Sequence, residues 1–298
     1  MINWGQVLFN SAVTGSLYLL AAVGLTLTYG LSKFPNFAHA EFMAFGAYAG
    51  YVVAEELHLG FQLSFLVAFL ATAVLGAASY LLVFRPLSRR GASIIHLMVA
   101  SIGLGFFVRH ALQQIWGGAP LTFTVSWSCF DVGPVRITTL WLSLIGAALL
   151  MSVVMHLILT KTKVGKAIRA SSSNPELALA SGIDVEKIAL ITWMVGAALA
   201  GVGGLFRAAD TRLVPLLGWE ILLPAFAVVI LGGIGSFYGA LIAAYILGLA
   251  ENLGVVLLVS LKLSTDYRLA IAFLILILTL IFKPSGFGKL FGEGIKPV

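Results

Sequence analysis

Seven ionisable side chains stand inside long apolar runs of this sequence: His39, Glu41, His96, Arg109, His110, His156 and Glu251. Such groups are costly in an apolar medium and generally face a partner or a polar cavity. Asn36, His39 and Glu41 crowd the start of one run just after Pro35, and Glu251 precedes Asn252 in another. Interrupted helices carrying polar groups are a recurrent way to carry a polar solute through a bilayer. Asn36, His39, Glu41, Glu251 and Asn252 are therefore candidates to line such a path; the alternative is a satisfied polar network that fixes helix packing. Arg109 could attract an anion at an outer mouth, or simply snorkel from a span end. Arg207, Asp210 and Arg212 could form an outer docking surface, although a local Arg207–Asp210 pair at i, i+3 is the simpler account. His96, His110 and His156 are scattered over different runs and read as structural.

Catalytic chemistry finds no support. Glu55, Glu56 and His58 have the wrong order and spacing for an H-E-x-x-H zinc site. No G-x-S-x-G elbow is present, and no G-x-x-x-x-G-K-[ST] loop exists to cradle the phosphates of ATP. The single cysteine, Cys129, excludes an intrachain disulfide and any cysteine-based metal cluster. No cofactor is expected on this chain.

The elements that must position these groups follow from composition. Of 298 residues, 60% are hydrophobic and only 10% charged, against about 25% charged in a soluble domain. Too few charges remain to cover a water-facing surface, so the expected solvent is lipid. There every backbone donor and acceptor must be satisfied within the spanning element, which favours helices. The apolar runs are long and unbroken, unlike the alternating segments of a β-barrel. The net charge of +6 does not point to nucleic acid, because the basic residues lie mostly in short loops between apolar runs, where they report orientation.

A span needs roughly 20 apolar residues. That ruler predicts nine spans: 7–31, 36–54, 61–84, 93–115, 137–159, 188–208, 219–233, 238–259 and 266–283. The expected fold is all-α, a polytopic bundle of about eight to ten spans in one domain covering residues 1–298. Gly232, Gly233, Gly235 and Gly239 interrupt one long apolar region, leaving open a tight turn between two spans or a broken, re-entrant element. Basic residues at 85, 89 and 90, at 161–169, and at Lys283, Lys289 and Lys296 place those segments in the cytoplasm. The N-terminus then lies outside and the C-terminus inside. Gly46 and Gly50, like Gly235 and Gly239, have the spacing that lets helix backbones approach closely in lipid; intrachain packing is the simpler reading. Pro35, Phe37, Ala38, Gly46 and Gly50 share their spacing with Pro224, Phe226, Ala227, Gly235 and Gly239, an echo that inverted repeats or chance would both produce.

The loop 160–187 is the longest polar stretch. Asn174 can cap a helix that begins at Pro175, with Glu176 favourably placed against its dipole. Gly182 can end that helix, and Asp184 can cap the next span. The predicted helix is on the order of 10 Å long, too short to persist alone in water. It must dock on its own membrane domain or on a partner.

This loop resembles the cytoplasmic segment of binding-protein-dependent ABC transporter permeases of the branched-chain amino acid family. The shared residues are Gly165, Ala167, Arg169, Ala170, Asn174, Pro175, Glu176, Ala178, Gly182 and Ile183. A second match is NFAHAEFMAFGAYAG, Asn36 to Gly50, which departs at Ala40, where the family has glycine. A third is Pro224 to Asn252. The resemblance implies a smaller permease subunit in the inner membrane of a prokaryotic cell. It implies a second permease, two ATP-binding-cassette ATPases and an extracytoplasmic solute-binding protein as partners, with ATP bound by the ATPases. The short helix would be the coupling helix, with Gly165, Arg169, Asn174, Pro175, Glu176, Ala178 and Gly182 as its coupling residues. Leucine, isoleucine and valine are the implied cargo; relatives handle urea, short amides and aromatic acids. An ion-driven secondary carrier fits the composition too, but leaves the coupling-type loop without a purpose.

Overall fold

A computed structural model describes residues 2–282 and 286–288. Lys283, Lys289 and Lys296, expected on the cytoplasmic tail, lie outside the described residues. The helices are α1 (Trp4–Ser32), α2 (His39–Tyr51), α3 (Phe61–Ser79), α4 (Arg85–Arg89), α5 (Ile94–Trp116), α6 (Thr139–Lys161), α7 (Lys163–Ser173), α8 (Pro175–Ala180), α9 (Val185–Asp210), α10 (Leu217–Gly232), α11 (Phe237–Ser260) and α12 (Arg268–Phe282). Among the described residues seven helical stretches are long and apolar enough to cross a membrane, and α10 is a shorter apolar helix. The chain is a multi-pass helical membrane protein.

The all-α expectation holds, with two local features the sequence reading did not give. Strands β1 (Cys129–Val132) and β2 (Val135–Thr138) form an antiparallel hairpin turned at Gly133 and Pro134. This hairpin rests on the start of α1, where Arg136 N donates to Gln6 Oε1 at 2.8 Å. The loop 160–187 also holds α7 in addition to the expected short helix.

The nine predicted spans map onto α1, α2, α3, α5, α6, α9, α10, α11 and α12, and the loops sort onto two ends as that order requires. At one end Lys33 Nζ donates to Ser172 O at 2.6 Å, and Arg85 and Arg89 both bind Glu186. At the other end Thr124 Oγ1 donates to Glu55, Trp116 Nε1 to Glu56 and Trp141 Nε1 to Asp210. The basic segments 85–90 and 161–169 share the first end; Trp116 and Trp141 mark the second, as interfacial aromatics do.

The core is built from α1, α2 and α9. Lipid gives no hydrophobic drive between helices, so close backbone contact and dispersion must hold them. A Cβ on Gly24 would strike the backbone of Gly196, and one on Gly46 the backbone of Gly201. Gly50 packs on Leu205, Gly235 lies against Gly30, and Gly239 against Gly232. Both G-x-x-x-G pairs thus serve packing within this chain. Trp193 of α9 is fully buried among Phe34, Phe42 and Phe84, with its ring stacked on Phe84 at 4.6 Å.

Candidate functional site

The span expected over 36–54 begins as a helix only at His39. Residues 33–38 turn back from the end of α1 without helical structure. His39 Nε2 then donates to Ala21 O at 2.9 Å, eleven residues, or about 17 Å of helix, before Ser32. Hence α2 starts near mid-depth. Pro35 cannot supply a backbone donor, and Asn36 ties the turn by accepting from Ala38 N at 3.1 Å. Phe37 N donates to Ser101 Oγ of α5 at 3.1 Å. These side-chain acceptors satisfy backbone donors that non-helical chain would otherwise bury unpaired. The change from glycine to alanine at position 40 breaks nothing, because α2 runs unbroken through it.

A matching event enters from the other end. After α9 the chain returns through residues 211–216, where Leu213 pairs with Leu121 as an isolated bridge. The first turn of α10 then abuts the first turn of α2, since Gly218 sits against the carbonyl of Ala40. Phe37 packs on Phe226 of α10 at 5.3 Å, while Leu213 packs in one cluster with Ala44 and Tyr48 of α2. Two short helices therefore start side by side and run to opposite ends. The inverted arrangement is real, but the spacing echo does not register it: Pro35 lies before α2, whereas Pro224 lies inside α10. Pro215, in the return segment before α10, is the positional counterpart of Pro35. The Gly232–Gly239 region resolves as a tight turn between α10 and α11.

A buried ion pair closes this junction. Arg109 of α5 donates from Nε and Nη2 to Glu41 Oε1, the Nε contact measuring 3.0 Å. Trp219 Nε1 of α10 donates to the same oxygen at 2.8 Å, and the Arg109 guanidinium lies 4.9 Å from the Trp219 ring centre. Glu41 is fully buried, and its Oε2 has no hydrogen-bond partner among the described residues. Acidic residues open both first turns, Glu41 in α2 and Glu220 in α10, where the helix dipoles favour them. Arg109 was expected at an outer mouth or snorkelling; it turns inward instead because a carboxylate in apolar surroundings is a stronger partner than distant water.

The other expected residues fall elsewhere. Glu251 Oε2 accepts from Tyr18 OH at 2.7 Å, and Asn252 Nδ2 donates to Thr14 Oγ1 at 3.1 Å. Asn36, His39, Glu41 and Glu251 are all buried inside the subunit; Asn252 lines an open cavity of about 220 Å³ with Tyr18, Arg207, Asp210, Glu220 and Arg268. The i, i+3 pair between Arg207 and Asp210 does not form. Arg207 donates to Glu220 at 3.2 Å, and Asp210 accepts from Trp141, since tertiary partners on α10 and α6 are better placed than the neighbouring turn. Arg212 is exposed at the same end. His96 binds Ser93 and His156 binds the Tyr238 hydroxyl at 2.6 Å, both as structural residues. His110 is exposed, its ring stacked with that of Phe106 at 6.3 Å between centres. Sequence inspection missed Trp219, Ser101, Tyr18 and Glu220 as partners. The Trp-Glu pair in an otherwise apolar stretch was the one available signal.

On the Lys33 end, α8 forms as local chemistry predicts. Asn174 Oδ1 accepts from Leu177 N at 2.9 Å, Pro175 opens the helix and Glu176 sits in its first turn. Gly182 adopts φ +82°, and Ile183 N closes the end on Ala178 O at 3.0 Å. Asp184 then accepts from Lys187 N at 3.1 Å to cap α9. Gly165 packs on the last turn of α6, and Arg169 donates to Leu159 O, so these two pin α7 to the bundle. In α8 Ala178 is buried, but Leu177 and Leu179 are 64% and 65% exposed.

Paired helices that begin inside the bundle, a buried ion pair and a capped surface helix with bare leucines are set in a multi-pass helical membrane protein. The fold is shared with a solved structure titled "PsaBC from Streptococcus pneumoniae in complex with Fab": TM-score 0.53 and 14% identity over 97% of this chain and 95% of that one. A family model described as "Branched-chain amino acid transport system / permease component" matches residues 7–280, and the chain belongs to that family. It is 33% identical to the probable branched-chain amino acid transport permease protein LivH of Methanocaldococcus jannaschii, over 94% of this chain and 91% of that one. It is 29% identical to the high-affinity permease protein LivH of Escherichia coli over 94% of each chain. The permease protein LivM of the same bacterium matches at 26% over 96% of this chain and 70% of its own length.

Proposed function

We propose that this chain is one of two permease subunits that together enclose an import path for leucine, isoleucine and valine, driven by ATPases on separate chains. The observation that carries this reading is α8. A six-residue helix is too short to persist by its own hydrogen bonds. Here it is capped at both ends and seated by Ala178, while Leu177 and Leu179 point away from the bundle. Bare leucines at a polar membrane surface call for a protein groove to cover them. The basic segments at that end support a cytoplasmic assignment for it, where ATP is available, with the N-terminus outside. Likeness to both LivH and LivM of one bacterium supports a sister permease as the second subunit. The hairpin end, with Arg212, would receive a solute-binding protein. The coupling residues would then fall into two groups. Gly165 and Arg169 hold α7 to α6, while Asn174, Pro175, Glu176, Ala178 and Gly182 shape the element that the ATPase moves.

Purification of the tagged chain from its native membranes in mild detergent tests the assembly. Recovery of a P-loop ATPase and a second permease is the expected result. A chain that arrives alone and moves leucine under an ion gradient without ATP would overturn it. In the reconstituted assembly, Glu176→Lys should leave ATP hydrolysis in place but uncouple it from leucine uptake.

A further inference from the structure

The outward face of α5 differs from other exposed faces of the bundle. Its buried side carries Leu97, Ser101, Gly105, Val108 and Leu112. Its exposed side, at intervals of three and four residues that keep one face of a helix, carries His96, Val99, Gly103, Phe107, His110 and Gln114. On α3, beyond Gln62 at its start, the exposed positions Leu63, Leu66, Leu70 and Val74 are apolar, and beyond Arg268 at its start the exposed positions of α12 are apolar as well. Those are faces that lipid can solvate.

Depth makes the difference matter. The 23 residues of α5 span about 35 Å, slightly more than the ~30 Å hydrocarbon core. Trp116, hydrogen-bonded to Glu56 at 2.9 Å, sits at the end with its ring nitrogen in the interface. His110 lies six residues earlier, about 9 Å deeper, so its imidazole is within the apolar slab. It has no hydrogen bond among the described residues, whereas the exposed His156 of α6 is satisfied by Tyr238. An imidazole at that depth with no intrachain partner belongs next to water or a polar solute, not lipid. The neighbouring Arg109 fixes α5 to Glu41 at that same level, and Gly103 leaves open space at the centre of the face.

We infer that the outward face of α5 is the wall this subunit contributes to the solute path, with His110 its polar contact for the solute and a second permease of the same fold closing the far side. This rests on the permease reading above. Val99 and Phe107, 62% and 73% exposed, give the wall the apolar surface along which a branched side chain can pass. Behind the wall, Glu41 holds Arg109 and the turn at Asn36 and Phe37 is tied to Ser101.

The test uses the assembled importer in vesicles, in a Cys129→Ser background. A charged, membrane-impermeant methanethiosulfonate reacts with thiolate, which forms in water and not in lipid. His110→Cys and Gly103→Cys should label about tenfold or more faster than Leu70→Cys on α3, and labelling should block leucine uptake. Leucine in excess should slow the reaction at His110→Cys. Equal, slow labelling at all three positions would overturn the assignment and return this face to lipid. Fast labelling of His110→Cys that leaves uptake untouched would also overturn it. ATP-independent uptake by the Cys129→Ser parent would instead overturn the permease reading, a result distinguishable because it does not depend on the labelling rates.

Discussion

Arg109 and Glu41, 68 residues apart in sequence, form a buried ion pair in which both Nε and Nη2 of the guanidinium bind one carboxylate oxygen. The pair joins α5 to the start of α2, and Trp219 adds α10 to the same oxygen. The helix carrying the polar outward face is thereby fastened at the point where the two half-depth helices meet.

Removing one member of this pair should cost more than removing both. Arg109→Leu leaves Glu41 uncompensated, and a buried pair broken on one side typically costs about 3–5 kcal/mol. The double variant Glu41→Gln, Arg109→Gln should recover most of the detergent-solubilised melting temperature. A double variant no more stable than Arg109→Leu would show that the pair does not act as a unit.

Backbone approach between α2 and α9 makes a second prediction. A Cβ on Gly46 would overlap the backbone of Gly201, and neither helix can yield without separating. Gly46→Val should therefore reduce the yield of folded protein sharply in fluorescence-detected size exclusion. By contrast, Gly103→Ala on the open face of α5 should leave that yield unchanged.

The ends of α8 are separately adjustable. Asn174→Ala removes the cap on Leu177 N and should cost about 1 kcal/mol locally. Gly182→Val forces a β-branched residue into φ +82°, at a cost of about 1–2 kcal/mol. Both changes should loosen the 174–184 segment in hydrogen-exchange mass spectrometry while α9 and α11 keep their protection. Unchanged exchange there would mean that α8 is held by its docking alone.

Asp184 supplies a pH signature outside the membrane. Hydrogen bonds from the Lys187 side chain and then its backbone N–H hold the Asp184 carboxyl below its ordinary value. For a carboxylate lowered by folding, the stabilisation is fully present above the unfolded value of about 3.9 and is lost as pH falls through the lower folded value. The cap therefore persists at neutral pH. A carboxyl-carbon NMR titration should place the Asp184 midpoint below ~3.9, and Lys187→Met should move it upward; a midpoint indifferent to Lys187 would remove that side chain as the cause.

Much of this molecule is legible in its sequence. Lipid demands helices of a set length, so the apolar runs located the spans, including the limits of α11 to within a residue or so. Asn174, Pro175, Gly182 and Asp184 act within four residues of their own position, and such short-range chemistry reads directly from sequence. α7 (Lys163–Ser173) was missed although Val164, Ala167 and Ile168 stand at i, i+3 and i+4 and make its docked face, because three apolar residues among basic and hydroxyl ones fall far short of the long apolar run by which the spans were read. The hairpin Cys129–Thr138 was missed because its strands are only four residues each.

What the sequence determined by itself was the solvent, the helix lengths, the order of crossings and the local caps, since each depends on composition or on neighbours a few residues away. Only the tertiary structure decided the pairings. Glu41 chose Arg109 across 68 residues, Arg207 chose Glu220 over Asp210, and Glu251 chose Tyr18 across 233. Which face of α5 was left bare was decided in the same way. The physical reason is that a polar group in an apolar medium takes whichever partner the packed helices bring within about 3 Å, and the glycine contacts that set that packing depend on distances no spacing rule encodes.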